Sequence, residues 1–226
     1  MGFKIAVIGQ SLPPFDEAVL DSAREIGIEL AKKGCTVLSG GCRGYPYESS
    51  LAAFNCGANV IAYSPAADSA EHEGEYDFPS HGFSKIEYTG LGIPKRNNLV
   101  VNNADAVILV GGKIGTLNEF TLAFRARKPI GVLKDSGGIS GTIPKLAELC
   151  DFNSQKENII YAKRPKQLVA KLLALLRPKP EKPEAASEEW LGGIREEEPW
   201  EATEDEVAGE DEQGDTTRRN ETGNDE

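Results

Sequence analysis

Through residues 1–177, short apolar runs alternate with stretches whose apolar positions recur three or four residues apart. Lys4 to Ile8 is apolar after its first residue and stops at Gly9-Gln10-Ser11, the pattern of a strand closed by a turn. Beyond Pro13-Pro14, Val19, Ala23, Ile26 and Leu30 fall at i, i+4, i+7 and i+11, the buried stripe of a helix that Gly34 would stop. Further strands are predicted at Thr36–Leu38, Asn59–Tyr63, Ile86–Thr89, Ala106–Val110, Pro129–Leu133 and Ile159–Tyr161. Helices are predicted at Pro46–Phe54, Pro94–Asn103 (Leu99 and Val100 inward), Thr116–Arg127, Ile143–Leu149 and Pro165–Leu176. Ala106–Val110 is apolar throughout, as the centre of a parallel sheet requires. Residues 65–84 break the rhythm. They are polar, acidic and irregular, and predict an inserted loop, solvated and mobile, over one edge of a site.

Strand–helix alternation with short connections predicts a doubly wound, Rossmann-like α/β domain over residues 1–177, three layers deep around a parallel sheet. Such sheets bind ligands at the carboxyl ends of their strands, where strand order reverses. Four loops follow predicted strands there: Gly9–Ser11, Gly40–Gly44, Gly90–Arg96 and Gly111–Glu119. Glycine between a strand and a helix lets backbone approach a ligand and leaves N–H groups, with the positive helix end, facing it. Phosphate suits that setting. Gly9 and Ser11, Gly40 and Gly41, and Gly111 with Gly112 are therefore candidate contacts for a nucleotide or another phosphorylated small molecule. The first loop reads G-Q-S, not G-x-G-x-x-G, and no G-x-x-x-x-G-K-[ST] occurs, which disfavours ordinary NAD enzymes and P-loop NTPases.

Thr116-Leu-Asn-Glu119 has two readings. As a capping box, Thr116 starts the helix and Glu119 reaches back to it. Alternatively, Glu119 faces a ligand. Arg96 begins a short helix feeding the same strand, so cation and carboxylate can converge on one cleft.

Composition divides the chain. Its formal charge is −11, yet residues from Arg177 onward hold 6 Lys and Arg against 18 Asp and Glu. The preceding body is close to neutral, without the basic surplus that nucleic-acid binding needs. Residues 178–226 are rich in Pro, Glu, Asp and Gly and nearly free of aliphatics, which predicts a disordered acidic tail. Trp190 and Trp200 are its apolar exceptions and a candidate docking segment for a protein partner. The four cysteines form no C-x-x-C, no apolar run approaches bilayer length, and the start shows no signal-peptide core, so a cytoplasmic protein with reduced thiols is expected. His72 and His81 lie in the acidic insert without ligand spacing, and neither a metal nor a cofactor is assigned. Cys42 has the loop position of a low-pKa thiol but no histidine nearby in sequence, and is read as packing.

"RNNLVVNNADAVILVGGKIGTLNE" resembles the motif region of the LOG family, nucleotide phosphoribohydrolases often labelled lysine decarboxylases, and "TVLSGGCRGYPYESSLAAFNCGANVIAYSP" resembles its earlier glycine-loop segment. The likeness spans about residues 3–177. The pair Arg96-Asn97 is shared with a wider superfamily that includes DNA-processing protein A and molybdenum-cofactor carriers. The resemblance implies that Arg96 and Glu119 are the catalytic pair, that Gly112, Gly115 and Thr116 are the phosphate loop, and that Gly41 and Gly44 are the earlier loop. It also implies a homodimer and hydrolysis of the N-glycosidic bond of a nucleoside 5′-monophosphate to free base and ribose 5-phosphate. A carboxylate can stabilise the oxocarbenium-like transition state of that cleavage while orienting water. The chain departs from the pattern in three places. Val110 replaces a proline, Pro94-Lys95 replaces His-Glu, and Lys113-Ile114 stands where one residue is usual. The extra residue makes Lys113 a further candidate phosphate contact and leaves a second expectation open: a carrier or sensor that holds a phosphorylated nucleotide or pterin without turnover.

Overall fold

The computed structural model describes residues 2–150 and 155–176; the acidic tail, its two tryptophans and the boundary at residue 177 lie outside the described residues. Seven strands form one parallel sheet: β1 (Lys4–Gly9), β2 (Thr36–Ser39), β3 (Val60–Ser64), β4 (Lys85–Tyr88), β5 (Ala106–Val110), β6 (Ile130–Leu133) and β7 (Ile159–Ala162), in the order β4-β3-β2-β1-β5-β6-β7. The helices are α1 (Glu17–Lys32), α2 (Tyr45–Asn55), α3 (Ser69–Gly74), α4 (Gly92–Asn102), α5 (Ile114–Arg125), α6 (Ile143–Leu149) and α7 (Pro165–Leu176). This is the expected Rossmann-like, three-layer α/β architecture.

Alternation along the central strands explains the layers. Ile5 and Val7 of β1 and Ala106, Ile108 and Val110 of β5 point into a core closed by α1, α2 and α7. Ala6, Ile8, Val107 and Leu109 point the other way, into a core closed by α4, α5 and α6. Both faces are dry, so these strands carry almost no polar side chains. On α1 the predicted stripe of Val19, Ala23, Ile26 and Leu30 is buried, and Asp16 caps the helix by accepting from the N–H groups of Ala18 and Val19. In α4 the inward pair is Val100 and Val101, one step on from the expected pair, with Leu99 half-buried.

Strand order reverses between β1 and β5. From β1 the chain turns to α1 on one face, and from β5 to α5 on the other, so their ends splay apart and open a crevice. The two strands must approach closely at that point. Gly9 pairs with Val110, and a Cβ on Gly9 would lie 2.2 Å from the Val110 carbonyl oxygen.

The insert at residues 65–84 departs from expectation. It contains α3, capped by Asp68 accepting from the Glu71 N–H, and His72 on that helix is fully buried. The ring nitrogens of His72 bond to the Ser64 hydroxyl (2.8 Å) and the Pro79 carbonyl (3.1 Å), and Phe78 and Tyr88 meet the ring edge-on. Arg43 donates to the backbone and carboxylate of Asp77 at 2.7 Å, and the Tyr47 hydroxyl meets His81 Nε2 at 2.7 Å. These contacts fasten the insert to the β2–α2 loop, to α2 and to the ends of β3 and β4, in place of the solvated, mobile loop that its composition predicts. Hydrophilicity alone conceals a segment whose one buried imidazole does the packing.

Replacing Gly9 by alanine forces β1 and β5 apart at their closest point. We expect a loss of about 2 kcal/mol or more in urea-induced unfolding, whereas Gly57→Ala, with open space around it but a φ of +80°, is strained only through its own backbone.

Candidate functional site

Four loops converge at the crevice. The first follows β1. Its Ser11 backbone sits under the second loop, where a Cβ on Gly44 would lie 2.2 Å from the Gln10 carbonyl oxygen and 2.8 Å from Ser11 Cα. Gly44 has φ +77°, and Gly41 in the same loop has φ +71°. Positive φ there turns the chain sharply into α2, whose first residue, Tyr45, donates its N–H to the Gln10 carbonyl at 3.0 Å. Gly40 has a different role. A Cβ there would lie 2.0 Å from Arg96 Nη1, so the absent side chain is the space that the guanidinium occupies.

The β5 loop is set by two glycines in left-handed conformation, Gly111 (φ +62°) and Gly112 (φ +101°). The following residue, Lys113, is extended and is the N-cap of α5, which starts at Ile114. That start corrects the capping-box reading. Thr116 is within the first turn, buried against Gly112, and Glu119 lies in the second turn, too deep to reach back to the cap. No side chain caps α5, so the N–H groups of Ile114, Gly115 and Thr116 lack helical acceptors at its positive end. Lys113 is exposed at this end, and Gly115 has open space where a side chain would be.

Arg96 and Glu119 come together, as the sequence suggests. Arg96 is 4% exposed and Glu119 is 8% exposed, with Nη1 and Oε1 4.0 Å apart. That separation is an ion-pair distance without a hydrogen bond. Arg96 Nε is buried and has no hydrogen-bond partner among the described residues. Burial pushes the Glu119 carboxyl up to about 7, against the opposing pull of the Arg96 charge. Near neutral pH the arginine is thus a desolvated cation beside a half-protonated acid. A buried charge left this incompletely paired is costly and favours an incoming anion. Asn97, the next residue on α4, faces α5 instead: its Nδ2 donates to Asn118 Oδ1 at 2.9 Å.

Cys42 also reaches this cluster. Burial pushes its thiol up, against the pull of the Arg96 charge and with the Glu119 charge adding to the rise, not down as its loop position suggests. Two contributors lie outside the residues that the sequence singles out, the loop after β6 and Tyr45. Ser136, beyond β6, accepts the Gly111 N–H at 2.8 Å, and the Ile139 N–H donates to the Gly112 carbonyl at 3.0 Å. A Cβ on Gly138 would lie 2.1 Å from that carbonyl. The signal was present: Asp135-Ser-Gly-Gly138 follows a strand just as the other glycine loops do. Tyr45 is the second. Its hydroxyl accepts from the Asp16 N–H at 3.1 Å, and a Cβ on Gly111 would lie 3.1 Å from its ring. Away from this cluster, a hollow of about 510 Å³ on the outer side of α5 and α6, lined by Leu117, Phe120, Phe124, Leu146 and Leu149 among others, involves none of the candidate residues.

A parallel sheet with a glycine-lined, cation-floored crevice at its reversal defines a LOG-like Rossmann protein. The chain belongs to the SLOG cluster4 family, whose model matches residues 2–169. It is 30% identical over 139 residues to an uncharacterized protein of Archaeoglobus fulgidus, covering 61% of this chain and 84% of that one. The molybdenum cofactor carrier protein of Chlamydomonas reinhardtii superposes with a TM-score of 0.64 at 25% identity, over 78% of this chain and 99% of the carrier. DNA processing protein A of Helicobacter pylori shares the fold at a TM-score of 0.53 and 22% identity, over 76% and 80% of the two chains. Among the described residues, no helix is long and apolar enough to cross a membrane.

The raised pKa of Glu119 makes stability depend on pH. Between about 4.5 and 7 the folded chain keeps a proton that the unfolded chain releases. This contribution is complete below 4.5, declines as pH rises towards 7, and is gone beyond it. Glu119→Gln removes that slope. Urea unfolding at pH 5 and pH 8 should therefore show the variant gaining on the wild type at the higher pH, by at most roughly 3 kcal/mol.

Proposed function

We propose that this protein binds a phosphorylated pterin or nucleotide in the crevice between β1 and β5 and carries it intact. The phosphate would sit on the open N–H groups of Ile114, Gly115 and Thr116, with Lys113 at the rim and Arg96 beneath. Gly41 and Gly44 would hold the facing loop in shape. The observation that carries this reading is the buried Arg96 guanidinium, with its Nε unpartnered among the described residues and the Glu119 carboxyl 4.0 Å away. An anion supplies the missing acceptor and offsets the stranded charge. Likeness to the Chlamydomonas carrier over nearly that protein's full length supports a pterin phosphate as cargo. The residue pair Lys113-Ile114, one longer than the phosphoribohydrolase pattern, also favours holding over cutting. A shift of 1 Å between carboxyl and reacting carbon is enough to reduce turnover severely.

A second reading is N-glycosidic hydrolysis of a nucleoside 5′-monophosphate, and Glu119 favours it. A carboxyl with a pKa of about 7 is suited to proton transfer at physiological pH. The two readings part on the fate of the ligand. Purified protein is to be incubated with GMP, AMP and a phosphorylated pterin, and the small molecules then separated by chromatography. Intact ligand with raised thermal stability supports the carrier. Free base that Glu119→Gln no longer releases supports the hydrolase. A melting curve unmoved by every phosphate ester sinks both.

Two variants test the anchoring. Arg96→Gln should weaken binding 10- to 100-fold, the scale of losing charge-assisted hydrogen bonds, measured by calorimetric titration. Gly115→Ala should separate stability from binding. An alanine in the first turn stabilises the empty protein by up to about 1 kcal/mol, while its methyl crowds the N–H groups and lowers ligand affinity.

A further inference from the structure

Large aliphatic side chains stand exposed on the segments that frame the crevice: Leu12 beyond β1 (65%), Ile93 at the start of α4 (44%) and Ile114 at the first position of α5 (79%). Their relation follows from one bond. Asn97 of α4 meets Asn118 of α5, and both helices descend from the carboxyl edge of a parallel sheet, so they run in the same direction. Ile93 and Ile114 each precede the bonded asparagine by four residues, about one turn. They are therefore neighbours at the upper ends of the two helices. Arg96 and Glu119 lie further down the same pair of helices, three and five residues beyond them. Leu12 approaches from the adjacent strand, three residues past Gly9, which pairs with Val110.

Packing does not account for an isoleucine left 79% exposed beside unfilled N–H groups. It is also one of the two residues, Lys113 and Ile114, that stand where the LOG pattern has one. A phosphate seated on the N–H groups of Gly115 and Thr116 leaves the rest of its ester extending over the mouth, where Ile114 and Ile93 present an apolar surface. Lys95 and Lys113 are the exposed charges next to them in sequence, and no carboxylate occurs between Gly90 and Ala104 or between Ala106 and Asn118. Flat and electron-rich ring systems fit such a surface better than sugar hydroxyls, which would lose water without gaining partners.

We infer that Ile114, with Ile93 beside it, is the platform on which the ligand's heteroaromatic ring lies, so that Ile114 discriminates ring-bearing phosphate esters from bare sugar phosphates. This inference rests on the phosphorylated-ligand reading above. It is tested by calorimetric titration of wild type, Ile114→Ser and Ile114→Leu with GMP, whose guanine carries the amino-oxo pyrimidine of a pterin, with AMP, and with ribose 5-phosphate. Ile114→Ser should bind GMP and AMP about tenfold more weakly, the scale of exposing most of an aliphatic side chain's contact. It should bind ribose 5-phosphate within twofold of wild type, and Ile114→Leu should retain ring affinity. Sedimentation velocity should show the same oligomeric state in all three proteins.

The platform is overturned if Ile114→Ser keeps full nucleotide affinity, loses ribose 5-phosphate equally, or changes oligomeric state, the last marking Ile114 as a contact between copies of the chain. It is overturned too if wild type binds ribose 5-phosphate as tightly as the nucleotides, a result that leaves the phosphate reading standing. Wild type that binds none of the three overturns the platform and, with it, the nucleotide half of that reading.

Discussion

The guanidinium of Arg96 is held in a dry place with too few partners, and much of the surrounding construction follows from that constraint. Gly40 must lack a side chain because the cation fills the space. Glu119 must be close enough to temper the charge, yet it is itself so desolvated that its carboxyl gives up its proton only near pH 7. At 4.0 Å the pair is not a closed, hydrogen-bonded salt bridge, which would neutralise the two charges. Under the proposed function, that incomplete pairing is what an incoming anion would relieve.

The fold supplies that constraint with its frame. Reversal of strand order between β1 and β5 sends successive helices to opposite faces, and only there can the ends of two neighbouring loops part without breaking the sheet. Gly9 keeps the strands close enough for the ladder to run up to the crevice. On one side, Tyr45 links the β1, β2 and β5 loops through its backbone, hydroxyl and ring. On the other, the loop after β6 braces Gly111 and Gly112. Family membership and likeness to molybdenum cofactor carriers agree with this frame.

The architecture was legible because periodicity depends on burial, and burial in a two-faced sheet is nearly uniform: all seven strands were anticipated, Ala106–Val110 most clearly. The convergence of Arg96 with Glu119 was also legible, since strand ends place both at the same edge. What was not legible depended on partners distant in the chain. Thr116 looked like a helix cap because Thr-x-x-Glu is a local motif, but the left-handed Gly112 and extended Lys113 start the helix two residues earlier. His72 looked solvated because its neighbours in sequence are acidic, while its hydrogen-bond partners are Ser64 and Pro79. Ser136 sits in a glycine loop after a strand like the others, but its particular role, receiving an N–H from a loop 25 residues away, has no local cue.

The bracing of Gly111 and Gly112 has a kinetic meaning. Because the Gly111 N–H and Gly112 carbonyl are already engaged by the neighbouring loop, those two peptide units are fixed before any guest arrives. A ligand of the proposed kind would then freeze few further torsions, and conformational entropy would take little from its affinity. Its residence time would in turn be set by the bonds it breaks on leaving, and not by a slow refolding of its cradle.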